Sequence, residues 1–271
     1  AAVMAFSMAA CGGSSGSTAT SGATSTDSTA ADGSATAATG VTVQVGPNPE
    51  TLDPALNSAI DGANMLITAF EGLLIVDENN QVQPGQAESY EVSNDGLTWT
   101  FHLREGLKWS DGTDLDANDF VYTYKRVADP NTAAPYSATA VGMIAGYEEA
   151  MNGDPDALQV EAPDPLTFVV HLSYPCTYFD KLAAFATLSP VQQETIEANG
   201  DSWATAPETY VSNGPYYMTE WTVGQQIVFS KNPNYKGGWD SSKIVSDTIT
   251  FLLMEDSTAA YTAYTTGQAQ L

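Results

Sequence analysis

Alternation of apolar and polar positions predicts β-strands along most of the chain after residue 40. Val41, Val43 and Val45 alternate with polar residues, a pattern that indicates a short, half-buried strand. Paired segments separated by turn-forming residues predict three hairpins. The hairpins are expected at 88–92 with 97–103, at 158–161 with 166–172 and at 216–221 with 225–229, and further strands at 74–76 and 248–253.

Apolar residues at helical spacing predict helices between these strands. They are expected over 61–73, 117–127, 178–186, 191–199 and 257–266. Three of them have an aspartate at the start that is expected to cap the first turn, namely Asp61, Asp116 and Asp256. Because strands and helices are mixed without a repeating βαβ pattern, the expected fold class is α/β of the mixed, α+β kind.

The first forty residues have a different composition from the rest. Residues 1–10 are apolar and small, and at this length they are too short to cross a bilayer, which requires about 20 residues. They are typical of the apolar part of a secretory signal peptide. Cys11 follows Met8-Ala9-Ala10 and resembles the lipidated cysteine of a bacterial lipobox, the alternative being a chance cysteine in a low-complexity leader.

Residues 12–40 are nearly all Ser, Thr, Ala, Gly and Asp. Such a segment buries too little apolar surface to offset the entropy lost on ordering, so it is expected to be a disordered linker. We therefore predict a signal-peptide remnant and lipobox at 1–11, a flexible linker at 12–40 and a protein that is held at the membrane, outside the cytoplasm, by a lipid on Cys11.

The net charge is strongly negative, with 8 Lys and Arg against 33 Asp and Glu, which gives −25. This balance argues against a nucleic-acid partner, which requires basic patches, and against direct docking to anionic lipid. Two interpretations stay open: a surface charge that keeps the protein soluble, or an acidic cleft that attracts cationic ligands.

Few residues have the chemistry that an active site requires. The sequence contains two cysteines and two histidines. His102 and His171 both lie in predicted strands, and Cys176 is interpreted as a small packing residue without a disulfide partner. No zinc motif, phosphate-binding loop or nucleophile motif is present. We therefore expect no catalytic residue, no metal site and no cofactor, and the protein is interpreted as a non-enzyme.

A series of short motifs follows residue 41, most of them made of turn-forming and aromatic residues that are interpreted as markers of the fold. In chain order they are Leu52-Asp53-Pro54, Phe70-Glu71-Gly72-Leu73-Leu74, residues 95–104, Trp109-Ser110-Asp111-Gly112, residues 117–122, Arg126, residues 128–132, Asn213-Gly214-Pro215-Tyr216, Trp221 and residues 231–235. With these motifs in this order, the chain from about residue 41 to the end resembles the oligopeptide-binding proteins of ABC importers, a family of extracellular solute-binding proteins that also serves dipeptides and nickel.

The resemblance implies a two-lobed receptor that closes over its ligand. The first lobe, of the periplasmic-binding-protein type II kind, is expected to be built from 41–71 and 189–271, with 72–188 as an inserted additional domain. The second large lobe is expected to be missing, so the chain is interpreted as an N-terminal portion that cannot close on a ligand alone.

The resemblance also implies a function, the capture of oligopeptides outside the cell for import through ABC permease and ATPase subunits. By position, Ser58, Ala59 and Ile60 align with a ligand-facing loop of the first lobe, and Pro135 and Tyr136 with a ligand-facing segment of the additional domain. An ordinary exposed loop is the alternative for each. A receptor for another solute (a nickel chelate, haem or a sugar) and a peptide-sensing interaction protein on the same fold stay open.

Overall fold

The computed structural model describes residues 39–270, and within this range the chain contains ten strands and seven α-helices. The strands are β1 Gly40–Gly46, β2 Leu74–Val76, β3 Val82–Pro84, β4 Ala87–Val92, β5 Thr98–Leu103, β6 Val160–Asp164, β7 Thr167–His171, β8 Tyr216–Thr222, β9 Gln226–Lys231 and β10 Thr248–Leu253. The helices are α1 Ile60–Ala69, α2 Ala117–Ala128, α3 Ser137–Val141, α4 Tyr147–Met151, α5 Phe179–Leu182, α6 Gln193–Asn199 and α7 Ser257–Thr265. The mixed α/β class predicted from the sequence is confirmed.

One four-stranded sheet joins the beginning and the end of the described chain. Its strand order is β1-β10-β9-β8, with β1 parallel to β10 and the other pairs antiparallel. Val43 is aligned with Phe251, and Phe251 with Ile227 on the next strand, so the three apolar side chains lie in one row across the sheet. The long connection between β1 and β8 contains every other element except β9, β10 and α7.

A second four-stranded sheet is antiparallel throughout, with the order β4-β5-β7-β6. On β5, Trp99, Phe101 and Leu103 are buried, as the predicted alternation requires. His102 and His171 lie on β5 and β7, which confirms their placement in strands. The sheet is covered by α2, whose buried residues Phe120 and Tyr124 pack edge-on or tilted against Phe168 of β7.

The start of α2 shows why the capping prediction succeeded there. The Asp116 carboxylate accepts a hydrogen bond from the backbone N–H of Asn118 at 2.7 Å, and Asp119 accepts one from the N–H of Asp116 at 2.9 Å. This reciprocal pair satisfies backbone donors that the first helical turn leaves free. Asp256 caps α7 in the predicted way, through the N–H of Ala259.

The predicted first helix was wrong at both ends. α1 begins at Ile60, so Asp61 lies inside the first turn, and no side chain caps the helix. The helix ends at Ala69 instead of residue 73, because the N–H of Gly214 bonds the carbonyl oxygen of Ala69 at 2.7 Å. A Cβ on Gly214 would come within 2.5 Å of the same carbonyl, so only glycine permits this approach.

Other differences concern short elements. α3 and α4, each of five residues, were not predicted, and the helix expected over 178–186 is reduced to the single turn of α5 and a separate 3-10 turn at Ala186–Leu188. Strand β1 begins at Gly40, which the sequence had assigned to the linker. The predictions for 1–11, Cys11 and the linker up to residue 38 lie outside the described residues.

Cys176 is buried and unpaired among the described residues, which confirms its interpretation as a packing residue. The described helices are all too short to cross a membrane.

Candidate functional site

A narrow cleft brings together four of the five residues predicted to face a ligand. Ser58, Ala59 and Ile60 line one wall, and Tyr136 lines the other, although 76 residues separate Ile60 from Tyr136 in the chain. Pro135 is exposed and does not line the cleft. The cleft has a volume of about 130 Å³, well below the roughly 300–1,000 Å³ of complete small-molecule sites. In this chain the cleft is therefore too small to enclose a ligand.

The first wall is a short loop held by its own polar groups. The backbone oxygen of Asp53 accepts hydrogen bonds from the N–H groups of Leu56 and Asn57, at 3.1 and 3.0 Å. The side-chain amide of Asn57 then donates to the carbonyl oxygen of Ala59 at 3.0 Å. The N–H groups of Ser58 and Ala59 make no hydrogen bond to another residue of 39–270, so they are free to bond an extended ligand.

Exposure along this loop fits a binding surface. Ser58 is exposed, and Ile60, the first residue of α1, is 82% exposed. Ala59 is in an extended conformation, with φ −108° and ψ 148°, which keeps its N–H out of the helix. An aliphatic side chain this exposed on a surface that also offers free backbone donors is available for contact with another molecule.

The second wall is aromatic. Tyr136 is half-buried and lies directly before α3. Its ring packs edge-on against Phe185, with ring centroids 5.3 Å apart and planes at 76°. The Tyr136 hydroxyl makes no hydrogen bond within residues 39–270, so it is available to a ligand. Phe185 and Thr187 complete the cleft from the segment after α5, and no sequence signal pointed to either of them.

A buried ion pair lies behind the first wall. The guanidinium of Arg126, in the last turn of α2, bonds both carboxylate oxygens of Asp53, at 3.0 and 2.6 Å. The indole N–H of Trp203 donates to the same carboxylate at 3.1 Å. The sequence analysis noted both Asp53 and Arg126 as parts of fold-marking motifs, but nothing in the sequence indicated that they pair.

The residues that line the cleft include none of the side chains that usually carry out acid–base or nucleophilic chemistry. Its lining is aliphatic, aromatic, amide and hydroxyl, without a carboxylate, imidazole or thiol. General acid–base or nucleophilic catalysis needs such a group within reach of the substrate. Among residues 39–270, no group of three or more His, Cys, Asp and Glu side chains is arranged to hold a metal ion.

Larger cavities lie elsewhere among residues 39–270, and two of them, an apolar groove and a polar cavity, are lined by none of the predicted site residues. The apolar groove of about 560 Å³ is lined by residues that include Ile67, Ile75, Trp239 and Ile249. The polar cavity of about 460 Å³ is lined by Trp109, two glutamines and several carboxylates, among them Asp119. Burial raises the pKa of Asp119 to about 7.

Comparison with known proteins shows the family to which the chain belongs. Residues 81–271 match the family model described as bacterial extracellular solute-binding proteins, family 5 Middle. The periplasmic oligopeptide-binding protein OppA of Salmonella typhimurium is 40% identical over 229 residues, which cover 83% of this chain and 41% of that protein. The probable deoxycholate-binding periplasmic protein YgiS of Escherichia coli is 36% identical over 232 residues, with coverage of 83% and 42%.

A solved structure agrees with these sequence matches. The crystal structure of Haemophilus influenzae OppA in complex with RPPGFSPFR superposes with a TM-score of 0.80 at 34% identity, and the match covers 86% of this chain and 45% of that one. The chain thus spans less than half the length of the relatives it matches. This chain belongs to the bacterial extracellular solute-binding proteins of family 5, a family of binding proteins rather than enzymes.

Proposed function

We propose that this chain contributes one side of a peptide-binding site, formed by both walls of the cleft, in a solute-binding protein that captures oligopeptides outside the cytoplasm for an ABC importer. The observation that carries the proposal is the cleft that Ser58 and Ala59, whose N–H groups bond no other residue of 39–270, line together with the aromatic pair of Tyr136 and Phe185. An extended peptide bonds through its main chain to such donors, and an aromatic wall accepts many different side chains.

The rest of the proposed protein follows from the same assignment. A second lobe would cover the open side of the cleft and close over the peptide, since a volume of 130 Å³ does not enclose one. The first lobe comprises 41–71 and 189–271, and the additional domain comprises 72–188. A lipid on Cys11 holds the protein at the membrane, where permease and ATPase subunits receive the ligand.

The test uses the longest natural form of the protein, titrated calorimetrically with trialanine and with a pool of synthetic tripeptides to pentapeptides. Micromolar or tighter binding is expected. Ser58→Trp, which fills the cleft from an exposed position, is expected to abolish binding. Ser89→Trp, at an exposed position on β4 outside the cleft, serves as its matched control and is expected to bind as the parent does.

A second ligand class is favoured by one comparison, the 36% identity with a probable deoxycholate-binding protein. The same titration therefore includes deoxycholate, together with a nickel chelate, haem and a neutral sugar. Binding of one of these without any binding of peptides contradicts the peptide proposal. Peptide binding that does not respond to Ser58→Trp would place the site elsewhere.

A further inference from the structure

Arg126 connects the two walls of the cleft without lining either of them. It lies in the last turn of α2, and the chain reaches Tyr136 after only ten more residues. Its partner Asp53 begins the turn that leads to Ser58. One ion pair therefore joins the helix that precedes the aromatic wall to the loop that forms the backbone wall.

The geometry of this pair restricts movement in more than one direction. Two separate N–H groups of Arg126 bond two separate oxygens of Asp53, so the guanidinium fixes the plane of the carboxylate as well as its distance. The indole N–H of Trp203 and the backbone N–H of Ala55 donate further hydrogen bonds to the same carboxylate, at 3.1 and 2.9 Å. Asp53 is 3% exposed, so water does not replace these bonds.

Hydrogen bonds connect the fixed Asp53 to Ala59, one of the residues that line the cleft. The backbone oxygen of Asp53 holds the N–H of Asn57 at 3.0 Å, and the amide of Asn57 holds the carbonyl oxygen of Ala59 at 3.0 Å. Three consecutive hydrogen-bonded contacts thus connect the guanidinium to Ala59, which lines the cleft. Each step uses a short polar group, which leaves little freedom between the ion pair and Ala59.

We propose that Arg126 is a positioning residue for ligand binding. By holding Asp53 it keeps the loop 57–60 at a fixed separation from Tyr136, so that the cleft is already in its binding-competent shape before a ligand arrives. The proposal rests on the proposed peptide-binding function. When a fraction of the molecules has the competent shape, the apparent dissociation constant rises in inverse proportion to that fraction.

This role makes a kinetic prediction that a purely structural role does not. If the loop loses its fixed position, fewer encounters find a competent cleft, so the association rate falls while the dissociation rate of the bound peptide stays the same. Loss of folded protein would instead reduce the number of sites per molecule and leave the association rate per site unchanged. Stopped-flow binding of trialanine to the longest natural form of the protein, with site number from calorimetry, separates the two.

Removal of Arg126 alone would leave a buried carboxylate unpaired, which can prevent folding. The first variant is therefore the double substitution Asp53→Asn with Arg126→Gln, which keeps a neutral hydrogen-bonding pair. The second is Arg126→Lys, which keeps the positive charge but cannot bond both carboxylate oxygens with two separate N–H groups of a planar guanidinium. The matched control is Lys125→Gln, which removes the exposed pair between Lys125 and Asp156 on the same helix.

The double variant is expected to associate about tenfold more slowly, Arg126→Lys about threefold more slowly, and both to keep one site per molecule. The control is expected to match the parent. Association rates within twofold of the parent in both variants overturn the proposal, as does an equal loss in the control.

Hydrogen exchange keeps the inference testable if the parent binds no peptide, the outcome that would defeat the proposed function alone. The amides of Ala55, Leu56 and Asn57, which donate to Asp53, are expected to exchange faster in both Arg126 variants than in the parent and in Lys125→Gln. Unchanged protection of these three amides would overturn the positioning role.

Discussion

The side-chain amide of Asn57 lies directly over Gly62, and a Cβ on that glycine would be 2.2 Å from the amide oxygen. The same amide donates to the carbonyl oxygen of Ala59 at 3.0 Å. Asn57 is 8% exposed, so it is enclosed between the loop and the first turn of α1. The orientation of Ala59 in the cleft therefore depends on the absence of a side chain at Gly62.

Gly62→Ala is expected to weaken trialanine binding about fivefold, because the added methyl displaces Asn57 and releases Ala59. The melting temperature should change little, since alanine is a better helix former than glycine by about 1 kcal/mol and offsets part of the strain. Calorimetric titration measures the effect. Thr68→Ala, in the last turn of the same helix, is the control. An unchanged dissociation constant in Gly62→Ala would show that the Asn57 bond does not shape the site.

Tyr136→Ala is expected to weaken peptide binding about tenfold, because it removes the aromatic wall. Tyr136→Phe keeps the ring contact with Phe185 and lacks only the free hydroxyl, so this variant is expected to weaken peptide binding only about threefold. Comparison of the two dissociation constants by calorimetry separates the contribution of the ring from that of the hydroxyl. Equal binding by parent and Tyr136→Ala would exclude this wall from the site.

Asp119→Asn is expected to change how stability depends on pH. Burial raises the pKa of Asp119 to about 7, above the ordinary value of 3.8, so between these values the folded state holds a proton that the unfolded state has lost. The stability that this proton provides is complete below pH 3.8 and is lost as the pH rises toward 7. At pH 8 the parent carries a half-buried negative charge at this position, and the neutral amide of the variant removes it.

The variant is therefore expected to be more stable than the parent by about 1–2 kcal/mol at pH 8, after allowance for screening of this partly exposed group. The advantage should disappear near pH 4. Urea unfolding at several pH values measures it, with Asp156→Asn, a fully exposed aspartate that pairs with Lys125, as control. A constant difference between Asp119→Asn and the parent at all pH values would refute the assignment.

The Glu71 carboxylate connects three segments of the chain, and its loss is expected to destabilise the fold. Its carboxylate accepts hydrogen bonds from Tyr235 Oη, from Gln86 Nε2 at 2.9 Å and from the N–H of Gly238 at 2.8 Å. Burial raises the pKa of Glu71, but three donors favour the charged form. Glu71→Ala leaves these donors without a partner, and we expect the free energy of unfolding to fall by about 3 kcal/mol or more.

Urea unfolding monitored by tryptophan fluorescence measures this loss. Glu220→Ala is a matched control, because the Glu220 carboxylate also accepts two side-chain hydrogen bonds, from Thr222 and Gln226, but on the surface. Its free energy of unfolding is expected to stay close to that of the parent. If both glutamate variants lose the same stability, burial is not what makes the Glu71 network important.

The sequence predicted elements best where local signals and tertiary contacts agree. At Asp116 the side chain, the helix dipole and the apolar face of α2 all favour the same start, and the capping box forms as expected. α1 was extended too far because the residues that end it, Asn213 and Gly214, lie more than 140 positions away. Periodicity within a window contains no information about such contacts.

The candidate site was chosen by position in the resemblance, and local chemistry would not have pointed to it. Ser58, Ala59 and Ile60 have no unusual side-chain chemistry, and the features that support their proposed role are two unbonded N–H groups and an exposed aliphatic side chain. Phe185 was missed because its role depends on its packing against Tyr136, 49 residues earlier. The pairing of Asp53 with Arg126 is likewise a long-range contact between two residues that each look ordinary alone.

Photo-crosslinking tests the central claim most directly. A tripeptide with a benzophenone side chain is bound to the longest natural form of the protein, irradiated and mapped by mass spectrometry, with excess trialanine as competitor. The account predicts competable crosslinks to residues 57–60 and to Tyr136. Competable crosslinks that fall only on the apolar groove around Ile67 and Trp239, or no competable crosslink to either wall of the cleft, would contradict it.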